Sequence, residues 1–148
     1  GNSAPDFLLV DAALKNKTLE DYKGKYKLLN IMPSLDTTVC AASAMVFNEH
    51  AKAYPDMVML MISADLPFAQ KRFCDVEDVK NVIPLSMMRS RKFSKDYGVL
   101  IQDGPLAGIC ARAVVLLDKD NKVIYNELVA EITKEPDYNK ALASLNAV

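Results

Sequence analysis

The sequence predicts a layered α/β domain, a central mixed sheet flanked by helices, and three observations carry that prediction. Two apolar runs, residues 26–32 and 57–62, lack the alternation of a half-exposed strand and suit strands buried on both faces. A segment with helical spacing separates them. Near the C-terminus, two strand-like runs flank a polar turn and lead into a further helical stretch. Strands alternating with helices, then a hairpin and a last helix, define an α/β layer architecture. With 148 residues, 51% of them hydrophobic, the chain fits one domain spanning residues 1–148 with a sizeable core.

The first strand, Tyr26-Lys27-Leu28-Leu29-Asn30-Ile31-Met32, is stopped by Pro33, which has no N–H for a central ladder. Thr37 or Thr38 is placed to cap a helix running to about residue 54, on which Cys40, Phe47 and Ala51 recur with helical spacing before Pro55 prevents continuation. Met57-Val58-Met59-Leu60-Met61-Ile62 follows as a second buried strand, its methionines read as core. Residues 67–74 form a short helix. Residues 82–85 form a short strand or edge segment, since Pro84 argues against a central place. Residues 91–97 read as helix with Gly98 as its stop, followed by the turn-rich Gln102-Asp103-Gly104-Pro105. Residues 113–117 and 122–125 pair across the turn at 118–121, and a last helix occupies about 137–145.

Composition excludes several functions. The 18 basic and 19 acidic side chains leave a net charge of −1, so no broad basic surface points to nucleic acid or anionic lipid. No apolar run approaches the length of a membrane span, and Gly1-Asn2-Ser3-Ala4-Pro5-Asp6 does not read as a signal peptide. Free cysteines without a visible signal favour the cytoplasm. The three cysteines, Cys40, Cys74 and Cys110, are too few and too widely spaced for a disulfide-stapled mini-protein or a paired-ligand zinc site. With His50 the one histidine, no metal or other cofactor is implied. Cys40 is followed by Ala41-Ala42-Ser43, so there is no Cys-x-x-Cys exchange pair.

The chemistry concentrates where the first strand breaks into a helix. Pro33-Ser34-Leu35-Asp36-Thr37-Thr38-Val39-Cys40 sets a thiol in the first helical turn, where exposed N–H groups and aligned peptide dipoles favour negative charge. This Pro33-x-x-x-Thr37-x-x-Cys40 stretch closely resembles the signature of peroxiredoxins, whose cysteine attacks a peroxide O–O bond. Further text sharpens the likeness: Ser63-Ala64-Asp65-Leu66-Pro67-Phe68-Ala69-Gln70, Arg72-Phe73-Cys74, Asp103-Gly104-Pro105-Leu106, Ala111-Arg112-Ala113-Val114-Val115 and Glu131-Ile132-Thr133. Over nearly the whole chain it resembles the bacterial thiol peroxidases, the atypical two-cysteine peroxiredoxins.

That resemblance implies a thioredoxin-like fold, a homodimer in many members, thioredoxin as electron donor, and hydrogen peroxide and organic hydroperoxides as substrates. It also implies an N-terminal extension ahead of the Ala4-Pro5-Asp6-Phe7 region. By matching positions, Cys40 is the peroxidatic nucleophile, Thr37 and Arg112 are its polar partners, Pro33 shields it from water, and Cys74 is the resolving cysteine. Physical reasoning agrees for Arg112, whose permanently charged fork of donors suits a sulfur anion and a peroxide oxygen. A disulfide needs Cα atoms roughly 4.4–6.8 Å apart, so the helices carrying Cys40 and Cys74 are expected to unwind locally. Without the resemblance, Cys74 reads as a packed helix cysteine and Arg112 as an ion-pair partner at a strand edge. Cys110 reads as a core bystander, His50 as solvated or structural, and Asp36, Ser43 and Asp65 as local hydrogen-bonding groups. Two alternatives stay open: a one-cysteine peroxidase resolved by an external thiol, and a peroxide-responsive redox sensor.

Overall fold

The structure, a computed structural model, describes residues 1–129, 131 and 133–146; Ile132 of the Glu131-Ile132-Thr133 match lies outside them. In chain order the strands are β1 (Leu9–Val10), β2 (Asn16–Lys17), β3 (Tyr26–Ile31), β4 (Met57–Ser63), β5 (Ile83–Ser86), β6 (Ala113–Leu117) and β7 (Val123–Leu128). The helices are α1 (Thr38–Ala51), α2 (Pro67–Val76), α3 (Lys92–Asp96) and α4 (Tyr138–Asn146), with a 3₁₀ turn at Leu19–Tyr22. The described strands form one sheet in the order β2-β1-β5-β4-β3-β6-β7. β3, β4 and β5 run parallel, and the remaining pairs are antiparallel.

The apolar runs fail to alternate because both faces of this sheet are covered. Successive residues of β3, β4 and β6 feed opposite cores: Leu28, Met59, Met61, Val114 and Leu116 pack on one side, and Leu29, Leu60, Ile62, Val115 and Leu117 on the other. α1 and α4 cover the first side, where the Phe47 and Tyr138 rings meet edge to face at 5.0 Å. On the second side Phe93 of α3 lies 4.4 Å from the Tyr97 ring and 5.9 Å from Phe7.

Three departures from expectation have local causes. β5 is interior, between β1 and β4, although Pro84 argued for an edge. β1 pairs with β5 only at Val10↔Ser86, so at Pro84, opposite Met61 of β4, the strand has one neighbour and no ladder bond is lost on the other side. The β1–β2 hairpin was not foreseen, because two-residue strands carry no readable period. Its turn is held by Asp11, whose Oδ1 accepts the N–H groups of Ala13 and Lys15, both at 2.9 Å. α1 ends at Ala51, short of Pro55, where the N–H groups of Ala53 and Tyr54 bond back to His50 and Ala51 in a tight turn. Elsewhere the boundaries match to within a few residues, including Gly98, which follows α3 at a φ of +67° that suits glycine.

Candidate active site

β3 gives way to α1 through residues 32–37. The N–H of Met32 still donates to Ile62 O at 3.0 Å, and the buried Pro33 then ends the ladder. Thr37 occupies the N-cap position with extended backbone, φ −95° and ψ 146°, and its carbonyl accepts the Ala41 N–H at 3.0 Å. The cap position is as expected, but the hydroxyl does not cap. Thr37 Oγ1 donates instead to Ser34 O at 3.0 Å, tightening the loop that precedes the helix.

Cys40 lies in the first turn of α1 and is fully buried. Arg112 is 1% exposed, and its Nη2 donates to Cys40 Sγ at 3.1 Å. Sheet register brings these distant residues together. β6 pairs antiparallel with β3 at Ile31↔Ala113, so Arg112 stands just beyond the ladder, beside the chain that leads to Cys40. A permanent positive charge thereby faces the sulfur where water is excluded and electrostatic interactions are strong. Beneath the same turn, Ser43 Oγ donates to Cys40 O at 3.0 Å and accepts from Asn30 Nδ2 at 3.4 Å.

Cys74 sits in the last turn of α2, half-buried, and packs with Phe73 against the core that holds Leu35 and Cys40. Burial pushes its thiol up to about 11, and the neighbouring Asp75 carboxylate adds to the shift. All three cysteines are free. Cys110 belongs to the core on the other side of the sheet, with its Sγ 3.5 Å from Met87 Sδ. Burial raises its thiol to about 12 despite the nearby Arg91. His50 is in the last turn of α1, far along the helix from Cys40.

Asp65 is more central than sequence reasoning allowed. Its carboxylate accepts from Ser34 Oγ at 2.7 Å, Leu35 N at 2.8 Å and Ser63 Oγ at 2.7 Å, tying the loop before Cys40 to the end of β4. Ser34, Ser63 and the buried Gln70, which complete this network, were not singled out. The available signal was a cluster of polar residues directly after a buried strand. A cavity of about 230 Å³ adjoins the loop, lined by Asp36 and by Ala69, Arg72, Phe73, Val76 and Glu77.

Comparison with known proteins places this geometry. The family model described as Redoxin matches residues 1–142. The chain is 50% identical over 147 residues to a thiol peroxidase of Mycobacterium bovis, a match covering 99% of this chain and 88% of that protein. Among solved structures, a peroxiredoxin-like protein from Aquifex aeolicus superposes with a TM-score of 0.92 at 39% identity, covering 100% of this chain and 86% of that one. A thiol peroxidase from Chromobacterium violaceum superposes with a TM-score of 0.90 at 29% identity, covering 99% of this chain and 85% of that one. Their peroxiredoxin framework is the thioredoxin-like fold that the sequence resemblance implied. Fold, family match and near-complete relatives converge: the chain belongs to the redoxin family, as a peroxiredoxin of the thiol peroxidase kind.

Proposed function

We propose that this enzyme reduces hydrogen peroxide and organic hydroperoxides through Cys40, with Cys74 resolving the oxidised intermediate and a thioredoxin-type dithiol restoring both thiols. The observation that carries the reading is the 3.1 Å contact from Arg112 Nη2 to Cys40 Sγ at a helix start. Cys40, as its thiolate, attacks one peroxide oxygen; the O–O bond breaks, an S–O bond forms, and the other oxygen leaves as an alkoxide or hydroxide that takes up a proton. Cys40 is then a sulfenic acid. Arg112 supports the charge as it passes from sulfur to the leaving oxygen, which is transition-state stabilisation by a preorganised donor. Thr37 acts through the loop it tightens and Pro33 by excluding water.

Cys74 then attacks the Cys40 sulfur, an S–S bond forms, and the sulfenic oxygen leaves as water. The reductant's two thiols are oxidised as the disulfide opens. Burial raises the Cys74 thiol to about 11 while it is packed, so leaving that half-buried place makes its thiolate, the attacking form, easier to reach. Assembly as a homodimer belongs to the same proposal, on the habit of the family that the sequence resembles. Among the described residues no helix is long and apolar enough to cross a membrane.

Peroxide consumption coupled to thioredoxin, thioredoxin reductase and NADPH tests the proposal. Cys40→Ser is expected to abolish turnover, and Cys74→Ser to stall after one oxidation with this donor. Full turnover by Cys40→Ser would refute the assignment.

A further inference from the structure

Asp65 stands in the short connection between β4 and α2, the helix that carries Cys74, yet its side chain is bonded to the loop that precedes Cys40. Oδ1 accepts from Ser34 Oγ at 2.7 Å, and Oδ2 accepts from Leu35 N at 2.8 Å and Ser63 Oγ at 2.7 Å. Ser34 Oγ in turn accepts the Asp36 N–H at 3.1 Å, and Ser34 O accepts the Thr37 hydroxyl at 3.0 Å. The whole stretch from Ser34 to the N-cap of α1 is thus referred to one carboxylate. Leu35, held by its N–H, packs in the same core as Cys40 and Cys74.

The far side of Asp65 is equally fixed. Ser86 Oγ of β5 donates to Asp65 O at 2.6 Å, and the buried Gln70 of α2 donates through Nε2 to Ser63 Oγ at 3.0 Å and to Leu85 O at 2.9 Å. A carboxylate meets three donors without surrendering an acceptor, which no neutral side chain of that size does. Such charge-assisted bonds are short and strong, and they set geometry as well as energy.

We propose that Asp65 is a positioning residue, a clamp that holds the Cys40 loop in its peroxide-reacting geometry against the base of α2, and whose hold limits how readily that loop opens toward Cys74. This rests on the Cys40–Cys74 reading above and adds to it a determinant of the balance between attack and resolution. Asp65 touches neither sulfur, so its effect is on placement. Misplacing a reacting group slightly costs a large factor in rate. Loosening the same loop makes the opening that brings Cys40 to Cys74 easier.

The test measures two rates in single turnover on the full chain: peroxide attack, by competition for limiting peroxide, and disulfide formation from the sulfenic acid, by rapid blocking and mass analysis. Asp65→Ala is expected to slow attack by about tenfold or more while disulfide formation proceeds at least as fast as in the wild type, so that less sulfinic acid accumulates at a given peroxide concentration. Asp65→Asn keeps an acceptor for Leu35 N–H but sets an NH₂ against Ser34 Oγ and removes the charge, so its attack rate is expected to fall between wild type and Asp65→Ala. Ser34→Ala removes two loop bonds, to Asp65 Oδ1 and from Asp36 N–H, and leaves the bonds made by Ser63, Gln70 and Ser86 intact; an intermediate loss of attack rate is expected, and this variant decides the matter should Asp65→Ala fail to fold.

Wild-type attack rates in Ser34→Ala or in folded Asp65→Ala would overturn the proposal. So would equal slowing of both steps in parallel with a lowered melting temperature, the signature of a merely structural residue. Failure of the underlying reading looks different: the wild-type protein itself would form no Cys40 sulfenic acid or Cys40–Cys74 disulfide.

Discussion

At the scale of single residues, the site is an arginine buried against a thiol. A guanidinium that is 1% exposed is costly to desolvate, and its Nη2 lies 3.1 Å from Cys40 Sγ, where the proposed anionic chemistry would offset that cost. Arg112→Lys keeps a charge but loses the planar fork that can hold sulfur and oxygen together. Its kcat/KM for peroxide is expected to fall by about 10- to 100-fold, and that of Arg112→Met by about 10²–10³-fold, the range for a lost transition-state donor. Steady-state kinetics checks both, and unchanged kcat/KM in Arg112→Met would remove Arg112 from the chemistry. Cys40 and Arg112 were legible because the text around each is dense with matched positions. Thr37 was legible as a position and not as a bond, since a threonine hydroxyl at a helix start has two acceptable partners and here takes the loop carbonyl. The three donors of Asp65 come from the loop after β3 and from the last residue of β4, far apart in the sequence, so no local pattern announced the network.

At the scale of elements, Cys40 and Cys74 belong to two helices with opposite ends in play: the first turn of α1 and the last turn of α2. Short terminal turns open more cheaply than helix interiors, which suits the proposed cycle, in which the two sulfurs come together. Ser43 donates back to Cys40 O, a bond that weakens a helical turn slightly. The rest of α1 is anchored by Phe47, fully packed between the sheet and Tyr138 of α4. Phe47→Ala is expected to destabilise the reduced protein by about 3–5 kcal/mol in urea unfolding. A loss below about 1 kcal/mol would show that α1 is not held in this way. Helix and strand identities were readable from periodicity and from Pro33, Pro55 and Gly98. The place of β5 was not, because the rule about proline concerns a residue's own ladder bonds and β1 reaches only Ser86.

At the scale of the whole molecule, a sheet covered on both faces leaves several acidic protons in low-dielectric surroundings. Burial raises Cys74 from 9.0 to about 11 and Cys110 from 9.0 to about 12. Tyr22 rises from 10.0 to about 12, first by burial and then through Asp21 and Asp11. Each group binds its proton more tightly folded than unfolded. Its contribution to stability is therefore complete below its ordinary value and is lost as pH rises through the folded one. The reduced protein is expected to lose stability progressively from about pH 9 to pH 12, followed by the urea midpoint. Cys110→Ala should lower the plateau and flatten the decline; a midpoint independent of pH across that window would contradict the buried-thiol account. The covered sheet was foreseen from the unalternating runs at 26–32 and 57–62. The β1–β2 hairpin that extends the sheet beyond β5 was not, since it is made by register and turn bonds rather than by composition.

The most direct test of the central claim is the intact mass and disulfide map of the fully reduced protein after a single equivalent of peroxide, with remaining thiols blocked. Two hydrogens are expected to be lost, with a Cys40–Cys74 crosslink formed and Cys110 recovered as the blocked thiol. A lasting added oxygen on Cys40 with Cys74 free, or a crosslink through Cys110, would contradict the claim.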